Sequence, residues 1–282
     1  MNPTIENIFL KATFNLKGAE LISLKSEDRE YIWEGNSKFW GKHSPILFPI
    51  VGTLKNNVYK YEDKEYSLSR HGFARDLNFT VIAKEASKIT FSLKSTNETY
   101  LLYPFHFELQ ISYILEDKKL TVEFVVFNSN NFTMPFSIGG HPALSLPNNF
   151  KDYQLSFEDN NELIYFKLKT DLLSNTIKKI ELKNNLLDLN YELFDEDALV
   201  FKTISSKKIK LIENKKPLLL FSFASFPNFG IWTKSEAPFI CLEPWLGYSD
   251  TENSSGDIEN KEGIYNLPKN ETKKLYYSIE IF

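Results

Sequence analysis

Apolar residues along this chain recur mostly at every second position, the rhythm of strands that bury one face. In 119–128 (KLTVEFVVFN), Leu120, Val122, Phe124 and Val126 share a face while Thr121 and Glu123 point away. In 106–115 (HFELQISYIL), Phe107, Leu109, Ile111, Tyr113 and Leu115 do the same. The short EDKK connection, with Asp117 and Lys118 at its centre, predicts a hairpin. Further strands are predicted at 79–83, 88–94, 207–213, 218–224, 229–233, 238–243 and 275–282. Helical signal is confined to a turn or two around Tyr191–Phe194 and part of 171–187. The polar stretch 250–262 (DTENSSGDIENKE) has no apolar period and is expected to be the least ordered. Short strands joined by polar turns predict an all-β sandwich or barrel. No repeat or linker divides the chain, so one domain over 1–282 is expected.

Composition narrows the partners. With 42% hydrophobic residues, 24 Phe and 14 Tyr among them, a sizeable core can form. The net charge of -4, with lysines scattered among acids, offers no basic patch for nucleic acid or an anionic membrane. Cys241 stands alone, which excludes an intrachain disulfide and a thiolate-rich metal site. The opening MNPTIENIFLKATF lacks the basic start and unbroken apolar run of a signal peptide. No stretch approaches the ~20 apolar residues of a membrane span. A cytoplasmic protein is expected, as a monomer or homodimer.

Three short blocks carry candidate chemistry. His71 lies in Ser69-Arg70-His71-Gly72-Phe73-Ala74-Arg75, and His141 in Ser137-Ile138-Gly139-Gly140-His141-Pro142-Ala143. Glycine beside a polar side chain permits close backbone approach or positive φ. The third block is Cys241-Leu242-Glu243-Pro244-Trp245-Leu246-Gly247, a carboxylate at the end of an apolar run with a tryptophan two residues on. Pro142 and Pro244 each hold the preceding residue extended, so His141 and Glu243 hang from backbones with little freedom. Two histidines and a carboxylate, without metal-ligand spacing or a phosphate-cradling loop, point to acid–base chemistry. His43 and His106 read as structural, and Trp33 and Trp40 as core or rim.

Together these blocks resemble the active-site motifs of the aldose 1-epimerase (galactose mutarotase-like) family, nearest its short bacterial LacX-like subgroup. Supporting similarity runs through Gly18-Ala19-Glu20-Leu21, Tyr31-Ile32-Trp33, the segment 44–52 and Lys261-Glu262-Gly263-Ile264. The resemblance implies a galactose mutarotase-like supersandwich, a large antiparallel β-sandwich with few short helices. It implies interconversion of hexose anomers without cofactor or metal, with Glu243 as general base, His141 as general acid and His71 as catalytic support. It further implies sugar contacts from Arg70, Arg75, Asp197 and Trp245, the arginines being suited to hydroxyl or phosphate recognition. Arg75 with Asp76 also reads as a structural pair. The Asn-Arg sugar-binding pair typical of mutarotases has no counterpart at Ser44-Pro45-Ile46, so a simple galactose preference does not carry over. A non-catalytic carbohydrate-binding or sensing protein on the same fold is the alternative function.

Overall fold

The computed structural model describes residues 2–27, 29–158 and 161–282. Its centre is a nine-stranded antiparallel sheet. Across it run Leu186–Asp188, Tyr153–Phe157, Lys208–Glu213, Lys216–Ser222, Thr272–Ile281, Lys119–Asn128, Phe107–Glu116, Lys88–Lys94 and Thr80–Lys84. The predicted hairpin pairs Phe107 with Asn128 through Glu116 with Lys119. Leu109, Ile111, Tyr113, Leu120, Val122 and Phe124 are all buried on its inner side. That burial is what fixes the register, because a one-residue slip would turn the apolar set toward water.

A second sheet packs against this one. It orders Leu172–Glu181, Glu162–Lys169, Leu199–Phe201, Asn228–Trp232, Phe239–Leu246, Ile138–Gly140 and Ile46–Leu47, with Ala143–Ser145 also paired to Phe239–Leu246. Ile240, Leu242 and Leu246 enter the core shared with Phe221, Tyr277 and Phe124 of the first sheet. The other face of the same strand, with Phe239, Cys241, Glu243 and Trp245, is covered by different aromatic neighbours and is buried as well. A four-stranded meander over Thr4–Glu6, Lys11–Phe14, Leu21–Ser26 and Arg29–Glu30 precedes the sandwich, and Val58–Tyr61 pairs with Lys64–Ser67. The all-β supersandwich expected from the sequence is the observed architecture.

Two expectations need correction. The segment 171–187 contains no helix: Leu172–Glu181 pairs antiparallel with Glu162–Lys169, and Leu186 begins a strand against Tyr153–Phe157. Ile177 and Ile180 mimic a helical spacing, but the neighbouring strand takes up their backbone groups. The polar stretch 250–262, expected to be poorly ordered, is pinned from within. Asp250 and Lys261 are buried with Nζ 3.3 Å from Oδ1, Lys261 Nζ donates to the Tyr248 carbonyl at 2.5 Å, and Lys55 N–H donates to Asp250 Oδ2 at 2.9 Å. Ile258 is buried beside them. The Tyr191–Phe194 turn is present as a 3₁₀ helix, capped by the Asn190 side chain on Leu193 N–H. Among the described residues no helix is long and apolar enough to cross a membrane.

Candidate active site

The strand Phe239–Leu246 is paired on one side by two separate pieces of chain. Gly139 lies opposite Trp245, and Ala143 opposite Cys241. Carrying that register inward from either end sets His141 opposite Glu243. The Gly-Gly-His-Pro break between the pieces frees His141 from ladder bonding, and its N–H donates instead to the Pro45 carbonyl at 3.1 Å. Gly139 is required because a Cβ there would stand 2.5 Å from the Trp245 ring.

His71 reaches the same place from a loop. Its φ is +68°, a left-handed conformation that a non-glycine residue adopts at a cost of about 1–2 kcal/mol. Gly72 follows at φ +70°, where a Cβ would meet the Phe48 carbonyl oxygen at 2.3 Å. His71 and Gly52 bond reciprocally: His71 N–H donates to the Gly52 carbonyl at 2.8 Å, and Gly52 N–H donates to His71 Nδ1 at 3.0 Å. A neutral imidazole accepts at one nitrogen only. Arg70 Nε–H points at the other ring nitrogen, Nε2, from 3.2 Å, so the Gly52 amide and the Arg70 guanidinium compete for that one acceptor.

These groups line a cavity of about 520 Å³. On its floor His141 Nε2 and Glu243 Oε2 stand 3.2 Å apart, with side chains 9% and 2% exposed. The approach lacks hydrogen-bond alignment, and Glu243 Oε2 and His141 Nδ1 are buried without partners. Burial pushes the Glu243 carboxyl well above the usual carboxylate range; Arg70 opposes the shift and Asp197 adds to it. Burial also pushes His141 down to about 3, with Arg70 and Arg75 contributing. His71 is lowered as well, by burial first and then by His141 and the two arginines. Both shifts favour the uncharged forms, a protonated carboxyl and a neutral imidazole.

The seven residues singled out from the sequence all line this cavity. Arg70 donates to Asp171 Oδ1 at 2.8 Å and lies 4.0 Å from Asp197 Oδ2. Asp197, at φ +76°, also accepts from Ala198 N–H at 2.8 Å. Arg75 donates to the Arg70 carbonyl at 2.6 Å and approaches Asp76 at 3.6 Å, bracing the loop. Trp245 is mostly buried against Leu47, Val51 and Val200. His43 and His106 lie elsewhere, on the Glu34 carbonyl and the Tyr100 ring.

Sequence reasoning passed over two aromatic walls. Trp40, read there as core or rim, stacks on His141 with centroids 4.8 Å apart, and Trp232 meets the same imidazole edge-on at 5.8 Å. Trp232 pairs across from Cys241, a position that period-two reading places on the Glu243 face. Trp40 sits in a loop with no such signal.

The antiparallel supersandwich places the chain structurally with galactose mutarotase-like proteins. The aldose 1-epimerase family model matches residues 3–266, and the chain belongs to that family. The chromosomal Protein LacX of Lactococcus lactis subsp. lactis is 34% identical over 297 residues, covering 100% of this chain and 99% of that protein. The structure of a galactose mutarotase related enzyme from Lactobacillus acidophilus superposes with TM-score 0.94 at 34% identity, covering 100% of this chain and 97% of that one. A galactose mutarotase-like protein from Lactobacillus casei gives TM-score 0.94 at 32% identity, with both chains covered completely.

Proposed function

We propose that this protein, acting as one domain over residues 1–282, interconverts the α and β anomers of a hexose or hexose derivative. The observation that carries the reading is the His141–Glu243 pair, 3.2 Å apart on the floor of the cleft. Anomer interconversion acts on two oxygens of one carbon, O1 and the ring oxygen O5, so its acid and base must be close neighbours. Glycoside hydrolysis instead uses two carboxyl groups about 5–9.5 Å apart.

In the forward step the Glu243 carboxylate takes the proton from O1. The O1–H electrons form the C1=O1 bond, the C1–O5 bond breaks, and O5 receives its proton from the His141 imidazolium. The aldehyde rotates about C1–C2. Closure runs the same transfers backwards: protonated Glu243 returns a proton to O1 and neutral His141 takes one from O5. The two protonation states of the pair are thus the two ends of ring opening. The neutral form favoured by burial is the one that accompanies the open-chain sugar. Arg70 supplies donors to a sugar oxygen, His71 supports the site beside it, and Asp197 accepts from hydroxyls. Arg75 holds the Arg70 loop, and Trp245 and Trp40 close the apolar wall.

The test is polarimetry or NMR exchange on freshly dissolved α-glucose, α-galactose and glucose 6-phosphate, with wild type and Glu243→Gln. Wild type is expected to accelerate mutarotation of at least one sugar, and the variant to lose about 10²–10⁴-fold. Saturable sugar binding without acceleration would instead establish the carbohydrate-binding reading.

A further inference from the structure

Behind the floor of the cleft lies a third chemically active group that ring opening does not use. Cys241 lies two residues before Glu243 on the same face of Phe239–Leu246, diagonal to His141 across the strand pair. One ligand atom from each of His141, Cys241 and Glu243 lies within 4.8 Å of the others, and all three residues are buried. A buried cysteine alone is ordinary core packing. Here it shares a strand face with Glu243, and Glu243 Oε2 and His141 Nδ1 are buried and, among the described residues, without a hydrogen-bond partner.

We propose that Zn²⁺ binds Cys241, His141 and Glu243 and thereby inhibits the protein. The donor set is one thiolate, one imidazole nitrogen and one carboxylate oxygen, a combination suited to tetrahedral zinc, and the fourth ligand would come from the cleft that His141 and Glu243 line. Binding releases the thiol proton and the carboxyl proton to solvent. The two resulting negative charges cancel those of the ion, so the buried site gains no net charge. Ligand atoms about 2.0–2.3 Å from zinc stand about 3.3–3.6 Å from one another in a tetrahedron. The 4.8 Å span must therefore contract by about 1.2 Å, within reach of small side-chain rotations. The bound ion takes the lone pairs with which His141 and Glu243 would move protons. Inhibition thus rests on the epimerase reading, whereas binding does not.

The experiment pairs zinc titration of mutarotase activity with Co²⁺ absorption spectroscopy on wild type, Cys241→Ala and Cys241→Ser. One Zn²⁺ per chain is expected by equilibrium dialysis, with activity falling as it binds and returning with EDTA. Both variants should keep the basal rate while zinc affinity weakens at least about tenfold. Wild type with Co²⁺ should show a near-ultraviolet thiolate-to-metal band that both variants lack. Equal zinc affinity in wild type and Cys241→Ala, or a cobalt spectrum without the thiolate band, would overturn the proposal. A thiolate band in a protein that accelerates no sugar would uphold the metal site and remove the epimerase reading instead.

Discussion

Glu243→Gln has a consequence for stability that its loss of activity does not reveal. The carboxyl is 2% exposed, and burial raises its folded pKa well above 4.5, while burial lowers His141 to about 3. Between roughly pH 4.5 and 6.5 the unfolded chain carries Glu243 ionised and His141 protonated, one proton in all. With the raised carboxyl holding its proton across this window, as the prediction assumes, the folded pair also carries one. Stability changes with pH only when the two states bind different numbers of protons, so the wild-type pair contributes no slope in this window. Glutamine leaves the folded site with no proton and the unfolded histidine with one. Stability of the variant should then rise with pH by about 1.4 kcal/mol per unit, or about 2.7 kcal/mol from pH 4.5 to 6.5. At about 2.1 cal/mol/K per residue, a chain of this length unfolds with about 0.6 kcal/mol/K, so the gain over wild type amounts to about 5 °C in Tm. Denaturant unfolding and calorimetry of both proteins at half-unit pH steps measure it. A difference between the two that stays flat across the window would mean Glu243 is ionised in the folded protein, and the neutral-pair argument would fail.

Three further outcomes follow from the same structure. Lys261→Met leaves Asp250 buried without its cation and should cost about 3–5 kcal/mol, lowering Tm by about 5–8 °C; Lys261→Met with Asp250→Leu should recover part of that loss in the same melting assay. Gly72→Ala must hold a Cβ 2.3 Å from the Phe48 carbonyl at φ +70°, so chemical denaturation should show at least about 2 kcal/mol of destabilisation, and an unchanged midpoint would contradict the crowding. Trp40→Leu admits water to the face of His141 and should move its pKa upward from about 3, shifting the acid limb of the pH–rate profile upward. An unmoved limb would show that other neighbours keep the imidazole dry.

The long hairpin over 107–128 was legible in the sequence because its strands bury one face fully and leave the other half-buried. Phe239–Leu246 is buried on both faces, so its alternation is silent and only the family blocks pointed to 243 and 245 as cleft residues. Ile177 and Ile180 misled for the opposite reason: apolar positions three apart on a mostly exposed strand imitate a helix. The order of 250–262 could not be read because one ion pair buried in the fold, Asp250 with Lys261, outweighs local polarity. The seven residues singled out line one cavity, and the glycines and prolines beside His71, His141 and Glu243 mark where backbone leaves regular pairing. Trp40 and Asp171 escaped notice because their roles arise from contacts between distant parts of the chain.

His141 faces Glu243 across neighbouring strands, whereas Arg70 and His71 come from a loop and Asp197 from a turn. Under the proposed mechanism, the reaction and the choice of sugar are therefore mounted on separate supports. The spacing of acid and base follows from the spacing of the strands themselves, which change little when surface segments change. The loops can be lengthened, recharged or replaced without moving one proton-transfer group relative to the other. Such a molecule can change its diet by altering its rim while the chemistry beneath stays the same, and relatives with different substrates should diverge first at the loops that carry Arg70 and Asp197.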